Sequence, residues 1–377
     1  MLLTITGAVS LAIWLYLLLA RGAFWRMRPD VCGGAPRSPA PSVTAVVPAR
    51  NEADVVGRAM ASLAAQQYAG EFHMILVDDA SQDGTAGIAQ QAAPELRVIA
   101  ARPLPPGWTG KMWAIAEGVR ATGMGAAPSD YLLLTDADIV HPPDHLAALV
   151  ARAQEGESDL VSYMVRLPCR SLAEQALIPA FVFFFFLLYP PAWIRDPRRR
   201  TAGAAGGCIL IRRAALEHIG GIARIGGELI DDCALARAVK HSGGRVWLGL
   251  SDTAASLRRY RTFGEIGNMI SRTAYTQLGY SPLVLAGTVA GLAVTYLAPP
   301  LLTLAAQRGA AAGMGALAWL LMSATYLPAV RYYRRHWFWA PLLPLIALFY
   351  LAATLHSAVA HWRGRGGMWK GRAQSVT

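Results

Sequence analysis

The sequence predicts an α/β domain built on a mostly parallel sheet with flanking helices, joined to membrane-crossing helices near both ends. Three observations predict this fold. Strands alternate with helix-like stretches after the first 40 residues, long uncharged runs occur near both ends, and acidic residues follow two of the buried strands. Alternating strands and helices are typical of parallel sheets with crossover helices. A run of about 20 apolar residues can cross the hydrocarbon core as a helix.

The composition favours a membrane protein over a nucleic-acid-binding one. The 377 residues are 54% hydrophobic and 16% charged, which is more apolar than an ordinary soluble domain. The formal net charge is +11, but arginines cluster beside the apolar runs, as in 195–200 and 331–335. Such placement is typical of the positive-inside rule and of contact with anionic headgroups. The sequence contains no reading helix or aromatic-basic motif, so we expect a membrane partner and no nucleic acid.

The first 20 residues carry no charge and precede the basic segment RGAFWRMR. A signal peptide would carry basic residues before its apolar run and a small-residue cleavage site after it. The order here predicts an uncleaved anchor at 1–20 whose C-terminal end is cytoplasmic. Pro, Gly and Ala then indicate a linker, which we place at 21–41, before an α/β domain at 42–272.

Three further apolar runs predict about three membrane helices within 273–362. They are 273–307, 309–330 and 337–360. The ionisable group in the last run is His356, which we interpret as packed or interfacial rather than as the coupling site of a transporter. Because three crossings would leave the basic tail 363–377 outside, although its charge favours the inside, the number of crossings or the side of the tail stays open.

The uncharged stretch 175–194 includes FVFFFFLLYPPAW and is also long enough to cross. Three prolines interrupt it, and a crossing would separate the motifs that follow it from those that precede it. We favour a helix that lies in the membrane interface or lines an acceptor groove, with a crossing as the alternative.

The four cysteines are Cys32, Cys169, Cys208 and Cys233. No pair has C-x-x-C spacing, and four scattered cysteines do not form a disulfide framework in a chain of this length. We expect reduced thiols in a cytosolic compartment and no zinc site.

Acidic residues follow two buried strands, at the end where α/β sheets bind their ligands. HMILVDDAS ends in Asp78 and Asp79, whose repulsion favours a ligand or cation, whereas an Asp83-Gly84 turn needs only a helix cap. YLLLTDADI ends in Asp136 and Asp138, which can share Mg²⁺ or Mn²⁺ with phosphate oxygens. A D-x-D also recurs by chance in loops, so its place after a buried strand is what favours a metal site.

Three other residues have both a functional and a structural interpretation. Glu52 in VVPARNE can accept hydrogen bonds from a base or ribose, or can simply lie near a helix start. Lys111 after GWTG can contact phosphate as a point charge, or can be a surface lysine packed on Trp108. Asp232, beside Asp231 in LIDDCALA, can be a general base or a helix N-cap.

Together these motifs resemble the family-2 glycosyltransferases with the GT-A fold. The family order is a nucleotide-contacting strand end, an Asp pair, a D-x-D metal motif, a glycine-rich acceptor segment and an E-D base motif. The same order runs here from about Ser42 to Tyr275, with AAGGCILIRRAAL at 204–216 similar to the acceptor segment. The resemblance implies a nucleotide-sugar donor and a Mg²⁺ or Mn²⁺ cofactor.

The resemblance also implies roles by position. The implied residues are Pro48, Arg50, Glu52, Asp79, Lys111, Asp136 and Arg272 for the nucleotide sugar, Asp138 and Asp136 for the metal, Gly206, Gly207 and Cys208 for the acceptor, and Asp232 with Asp231 for the base. Two features depart from the family. Asp231 replaces the usual Glu, and SRTAYTQLGY stands where processive synthases carry Q-x-x-R-W, so we expect transfer of a single sugar.

A narrower likeness is to the hopanoid-associated (hopene-associated) glycosyltransferases of bacteria. It is carried by LPPGWTGKMWA, LIPAFVFFFFLLYP, GGCILIRR and LIDDCALA. It implies a multi-pass protein of the bacterial inner membrane, with a cytoplasmic catalytic domain and a lipid acceptor, for which the label suggests a hopanoid. UDP is the commoner carrier in this fold, so a UDP-sugar is the expected donor.

The sequence therefore predicts an inverting glycosyltransferase that moves one sugar to a membrane lipid. One alternative is a nucleotidyl- or phosphotransferase acting on membrane lipid, which should carry a glycine- and basic-rich phosphate loop that VVPARNE lacks. The other is a non-catalytic membrane scaffold, which should lack the acidic motifs that this chain keeps.

Overall fold

The computed structural model describes residues 1–30, 34–123, 128–305, 309–364, 368–369 and 372–373. Cys32 and most of the predicted basic tail at 363–377 lie outside the described residues. The chain divides into two compact units, which we call the sheet unit and the helical unit. The sheet unit comprises Pro29–Pro168, Trp193–Arg259 and Gly367–Thr377, and the helical unit comprises Met1–Arg28, Cys169–Ala192 and Tyr260–Gly366.

The sheet unit is built on one eight-stranded sheet with the order β3-β2-β1-β4-β7-β6-β8-β5. Its central strands are rich in Val, Leu and Ile, and every residue of the first and fourth strands is buried, as expected for strands covered on both faces. The strands are β1 (Val43–Ala49), β2 (Phe72–Asp78), β3 (Arg97–Ala100), β4 (Tyr131–Thr135), β5 (Ile139–Val140), β6 (Leu160–Arg166), β7 (Cys208–Arg212) and β8 (Val246–Ser256). The two-residue strands Met368–Trp369 and Arg372–Ala373 pair separately.

The sheet is mixed, where the sequence predicted a mostly parallel one. Four neighbouring strand pairs are parallel and three are antiparallel. Two of the antiparallel pairs involve β7, which runs opposite to both of its neighbours, β4 and β6, and the third joins the two-residue β5 to β8. The long connection after β6 returns the chain to the edge it left, so the next strand must run the opposite way. This direction places Cys208, the first residue of β7, opposite Thr135, the last residue of β4.

Helices cover the sheet. Those of the sheet unit are α2 (Ala53–Ala64), α3 (Thr85–Ala92), α4 (Gly110–Ala121), α5 (His145–Glu155), α8 (Arg213–His218) and α9 (Asp231–His241). Thr109 caps α4 by accepting a hydrogen bond from the Met112 N–H. At Gly118 a Cβ would lie 2.4 Å from Val46 Cγ1, so glycine sets how closely α4 approaches β1. This contact fixes the start of α4 over the carboxyl ends of the strands.

The helical unit contains the apolar runs. Its helices are α1 (Leu2–Leu19), α6 (Leu172–Leu188), α10 (Phe263–Ser271), α11 (Ala274–Gln277), α12 (Pro282–Leu292), α13 (Ala298–Ala305), α14 (Ala310–Tyr332) and α15 (Leu343–Trp362), with α7 (Pro191–Arg195) at the boundary of the two units. A π-helical stretch, Ala293–Leu297, makes α12 and α13 continuous. Five helices in the described ranges are long and apolar enough to cross a membrane, and they are Leu2–Leu19, Leu172–Arg195, Pro282–Ala305, Ala310–Tyr332 and Leu343–Trp362.

The Phe-rich helix α6 packs inside the helical unit. A capping box between Ser171 and Glu174 starts it, and its Phe183 ring contacts the rings of Phe24 and Tyr326. The strands before and after this segment, β6 and β7, pair with each other in one sheet. A single crossing would put them on opposite sides of a membrane. This pairing favours the predicted interfacial or groove-lining role, which stays a prediction.

The compact units differ from the predicted boundaries. The predicted domain ran over 42–272, whereas Cys169–Ala192 and everything from Tyr260 to Gly366 pack in the helical unit. Part of the predicted linker packs on the sheet unit, because Asp30 accepts hydrogen bonds from Arg152 Nε at 3.1 Å and from the Tyr163 hydroxyl at 2.7 Å.

Candidate active site

One edge of the sheet collects most of the predicted site residues. Strands β1, β2 and β4 are mutually parallel and end there, so the residues that follow Ala49, Asp78 and Thr135 share this edge. Because β7 runs the other way, the residues before Cys208 meet the same edge. The edge therefore receives VVPARNE, the Asp pair, the D-x-D and the glycine-rich segment.

Lys111 joins two of these motifs. It lies in the first turn of α4, and its Nζ lies 3.0 Å from Asp136 Oδ1 and 3.2 Å from Asp231 Oδ2. Burial opposes its charge, but Asp136 and Asp231 raise the pKa of the Lys111 ammonium above its ordinary value. The side chain is 19% exposed. The surface-lysine interpretation is therefore wrong.

Asp232 is held by backbone hydrogen bonds at the start of α9. The N–H of Gly206 donates to Oδ2 at 2.8 Å, and the N–H of Cys233 donates to Oδ1 at 2.7 Å. Burial and the neighbouring charge of Asp231 raise the pKa of the Asp232 carboxyl to about 6, against the opposing effect of Lys111. At neutral pH the group is therefore ionised, with a higher proton affinity than an ordinary aspartate. The N-cap interpretation of Asp232 is wrong, because Ile230 is the N-cap of α9 and Asp232 lies in the first turn of the helix, where it also accepts a hydrogen bond from Gly206.

A second group of contacts surrounds Asp138, which is buried. The Ser256 hydroxyl donates to its Oδ2 at 2.8 Å, and Arg258 Nε lies 3.3 Å from the same oxygen. Arg258 also reaches Glu52, with Nη2 2.6 Å from Oε1. Burial, followed by the charge of Asp136, raises the pKa of the Asp138 carboxyl. Arg258 therefore ties the first and third acidic motifs together.

Asp79, which follows β2, forms an ion pair with Arg50, which lies in the loop after β1. Arg50 Nη1 donates to the Asp79 carbonyl at 2.5 Å and lies 3.4 Å from Asp79 Oδ2. Asp83 forms the predicted Asx turn, because it accepts a hydrogen bond from the N–H of Thr85, two residues later, and it also accepts one from the N–H of Ala53. The N-cap of α3 is Gly84, so Asp83 has a structural role that is separate from that of the buried Asp79.

The region carries more negative than positive charge. Five carboxylates, which we call the carboxylate cluster, share two cations, so the net charge is −3 when all are ionised. The cluster consists of Glu52, Asp136, Asp138, Asp231 and Asp232. The ion pairs occupy Oδ1 of Asp136 and Oδ2 of Asp138, and each carboxylate has a second oxygen. An excess of oxygen ligands and negative charge suits a hard divalent cation such as Mg²⁺ or Mn²⁺.

The structure brings several predicted residues around one cavity. Pro48, Lys111, Asp136, Gly206, Asp231 and Asp232 line it. A Cβ on Gly206 would lie 3.3 Å from both Lys111 Nζ and Asp232 Oδ2, so glycine leaves this approach open. A Cβ on Gly207 would instead lie 3.3 Å from the Ile139 and Val165 side chains.

Seven predicted residues are not among those that line this cavity, and they are Arg50, Glu52, Asp79, Asp138, Gly207, Cys208 and Arg272. The Cys208 side chain is fully buried, with Sγ 3.5 Å from His145 Nε2, so the structure contradicts an acceptor contact through this thiol. Arg272 belongs to the helical unit, at the C-cap of α10, and its contact with a diphosphate stays a prediction. Sequence reasoning missed Arg258, which lies between a buried strand end and an arginine-rich stretch and belongs to no recognised motif.

The curled mixed sheet with the carboxylate cluster at its edge is the GT-A fold, a fold class of glycosyltransferases. Residues 44–220 match the family model described as Glycosyl transferase family 2.

Relatives agree with this class. Over 202 residues, 50% of this chain and 43% of the relative, the sequence is 31% identical to an N-acetylglucosaminyltransferase of Mesorhizobium japonicum. Over 150 residues, 39% of this chain and 29% of the relative, it is 32% identical to a beta-monoglucosyldiacylglycerol synthase of Synechocystis sp.. Both matches span less than half the length of the relative.

A solved structure shares the fold over nearly the whole chain. It is the mannosyltransferase PcManGT from Pyrobaculum calidifontis in complex with GDP-Man and Mn²⁺. The TM-score is 0.53 at 19% identity, and the match covers 95% of this chain and 99% of that one. At this identity the likeness concerns the fold alone.

Proposed function

We propose that this protein transfers one sugar from a nucleotide sugar to a membrane lipid, with inversion at the anomeric carbon. The observation that carries the proposal is the cavity at the sheet edge, where Lys111 lies between Asp136 and Asp231 and beside Asp232. A cation, an excess of carboxylates and a base candidate are what transfer from a diphosphate leaving group requires.

Asp136 and Asp138 would hold the divalent cation. Mg²⁺ or Mn²⁺ fits the oxygen donors and the net negative charge of the carboxylate cluster, and the mannosyltransferase that shares this fold was solved with Mn²⁺. When bound, the metal supplies charge neutralisation for the leaving diphosphate.

The chain's own residues divide the remaining tasks. Lys111 neutralises the diphosphate as the bond between the anomeric carbon and the phosphate oxygen breaks. Asp232 accepts the proton of the acceptor hydroxyl while that oxygen forms the new glycosidic bond, and the two N–H donors keep its carboxylate in place. Because the attacking oxygen approaches opposite the leaving group, the anomeric configuration inverts. Glu52 and Asp79, with Arg50 and Pro48, contact the nucleoside.

The acceptor we propose is a lipid, with a UDP-sugar as donor. Five helices able to cross a membrane support a lipid acceptor, and the Synechocystis relative is named for a diacylglycerol product. The family resemblance further suggests a hopanoid. We place the protein in the bacterial inner membrane, with the sheet unit in the cytoplasm, where nucleotide sugars are made.

A product assay with the detergent-solubilised full chain tests the proposal. Wild-type protein, UDP-sugars and bacterial lipid extract should give a glycosylated lipid and free nucleoside diphosphate, and Asp232→Asn should reduce transfer by about 10³-fold or more. Asp252→Asn, an exposed aspartate on β8, is the matched control. Full transfer by Asp232→Asn would remove this residue from the mechanism. A phosphorylated or nucleotidylated lipid as the product would instead indicate the phosphotransferase alternative.

A further inference from the structure

Three side chains that favour soft metals meet inside the sheet unit, behind the D-x-D loop. His141, His145 and Cys208 are all buried, and one ligand atom from each lies within 4.8 Å of those of the other two. His141 follows β5, His145 starts α5, and Cys208 starts β7. A loop, the first turn of a helix and a strand therefore converge on one point in the core, and the proposed transfer reaction uses none of these side chains.

The hydrogen bonds of Thr135 fix the tautomer of His141. The Thr135 hydroxyl donates its proton to the carbonyl of Gly207 at 2.8 Å, because a carbonyl can only accept. The contact of 3.0 Å between Thr135 Oγ1 and His141 Nε2 must then be donated by the imidazole. Nδ1 of His141 consequently carries a lone pair, and within the described part of the chain this buried atom has no hydrogen-bond partner.

An unpartnered nitrogen in the core is unfavourable unless something binds it. A buried polar atom without a partner has lost its hydrogen bonds to water and gained none in the protein. A histidine that binds a metal through one nitrogen and donates its other N–H to a fixed oxygen is the usual arrangement in metal sites. His141 already donates its Nε2–H to the Thr135 hydroxyl oxygen. A cation bound at Nδ1 would complete the arrangement.

The protonation states suit a metal site. Burial lowers the pKa of the His145 imidazole to about 4 and lowers the pKa of His141 well below its ordinary value, so both rings are neutral ligands at physiological pH. Burial also raises the pKa of the Cys208 thiol to about 12, so the thiol keeps its proton until a cation displaces it.

We propose that His141, His145 and Cys208 form a zinc-binding site. Zn²⁺ binds imidazole nitrogen and thiolate sulfur, whereas Mg²⁺ and Mn²⁺ prefer the oxygen ligands of the carboxylate cluster. Bond lengths of about 2.0–2.3 Å place zinc ligands roughly 3.4–3.8 Å apart, so the present spacing needs to close by about 1 Å. Binding forms two Zn–N bonds and one Zn–S bond, the thiol proton leaves to solvent, and one water of the hydrated ion keeps the fourth position. The sequence prediction of no zinc site rested on cysteine spacing, which this cluster does not use.

The site would tie the loop that carries Asp136 and Asp138 to β7. Thr135, which hydrogen-bonds His141, is the residue before Asp136, and Cys208 pairs with Thr135 in the sheet. A bound ion would therefore hold the D-x-D loop in place from behind. Its role is structural and separate from the divalent cation of the transfer reaction.

Cobalt substitution tests the site without any activity measurement. Full-length protein in detergent, stripped of metal and titrated with Co²⁺, should show a thiolate-to-cobalt charge-transfer band, which oxygen ligands at the D-x-D cannot produce. Zn²⁺ should displace it at one equivalent and raise the melting temperature. Cys208→Ser should abolish the band, and Cys233→Ser, at an equally buried cysteine, should keep it.

Further variants distinguish the loss of a zinc ligand from misfolding of Cys208→Ser. In the triple variant Cys32→Ser, Cys169→Ser and Cys233→Ser, Cys208 is the remaining thiol, and the charge-transfer band should persist. When His145→Gln is introduced into the same triple variant, the band should disappear. Absence of the band in wild type, or a band that survives without Cys208, would overturn the proposal.

Discussion

The charge of Lys111 lowers the proton affinity of Asp232, against the larger and opposite effects of burial and Asp231. We consider Lys111→Met, which keeps the length and apolar stem of the side chain and removes the ammonium. A Cβ on Gly206 would lie 3.3 Å from Lys111 Nζ and from Asp232 Oδ2, so these two atoms are at most twice 3.3 Å, or 6.6 Å, apart. Lys111 is among the groups that lower the pKa of Asp232, so its loss must raise that pKa.

The size of the effect follows from Coulomb's law. At that separation two unit charges interact by about 0.6 kcal/mol in water and about 2.5 kcal/mol at an effective dielectric constant of 20. The pKa of Asp232 should therefore rise by about 0.5–2 units from its value near 6. Because the base works only when deprotonated, the acid limb of the pH profile should move to higher pH by the same amount. Loss of a diphosphate contact should also lower the rate, by about 10²–10³-fold.

The assay is the pH dependence of kcat/KM for sugar transfer in wild type and Lys111→Met. Lys111→Arg keeps the charge, so its acid limb should stay near that of wild type even if its rate falls. Arg245→Met removes a distant charge, since Arg245 precedes β8 at the opposite edge of the sheet and pairs with Glu157. An acid limb in Lys111→Met that stays in place or moves to lower pH would refute the coupling between Lys111 and Asp232.

Three other predictions follow from the structure. Gly118→Ala should lower the free energy of unfolding by about 1–3 kcal/mol in a denaturation assay, because its Cβ would lie 2.4 Å from Val46. The control Gly87→Ala meets nothing within 4 Å and should be neutral or stabilising. Equal effects of the two substitutions would contradict the packing argument. Arg258→Met should lower the melting temperature and transfer activity, because it removes the positive charge that the carboxylates of Glu52 and Asp138 share, and the exposed neighbour Arg259→Met should do neither. Chelation of divalent cations should abolish transfer and added Mn²⁺ or Mg²⁺ should restore it; full activity in chelator would exclude the proposed D-x-D role.

Sequence reasoning could predict which motifs meet, because parallel strands bring their carboxyl ends to one edge of the sheet. Once the strands and helices are recognised, the residues that follow β1 and β4 are expected at this edge, together with those at the start of α9. The bridging role of Arg258 could not, because it depends on how β8 ends beside Asp138, some 120 positions away in the chain. The cluster of His141, His145 and Cys208 escaped for the same reason, since its members lie on three different elements.

The direction of β7 was also beyond the sequence pattern. A buried apolar strand looks the same whichever way it runs, so CILIR gives no sign of being antiparallel. Composition alone left the Phe-rich segment between β6 and β7 as either a crossing or an interfacial helix. The pairing of β6 with β7 in one sheet favours the interfacial helix.

The sequence by itself determined the α/β fold, the apolar helices and the edge of the sheet where the acidic motifs meet, because these follow from hydrophobic period, run length and strand polarity. Only the tertiary structure decided which carboxylate faces which cation. It placed Lys111 between Asp136 and Asp231, and it turned Cys208 inward toward His145. Such contacts join residues from separate elements, and the packing of the whole sheet sets their distances.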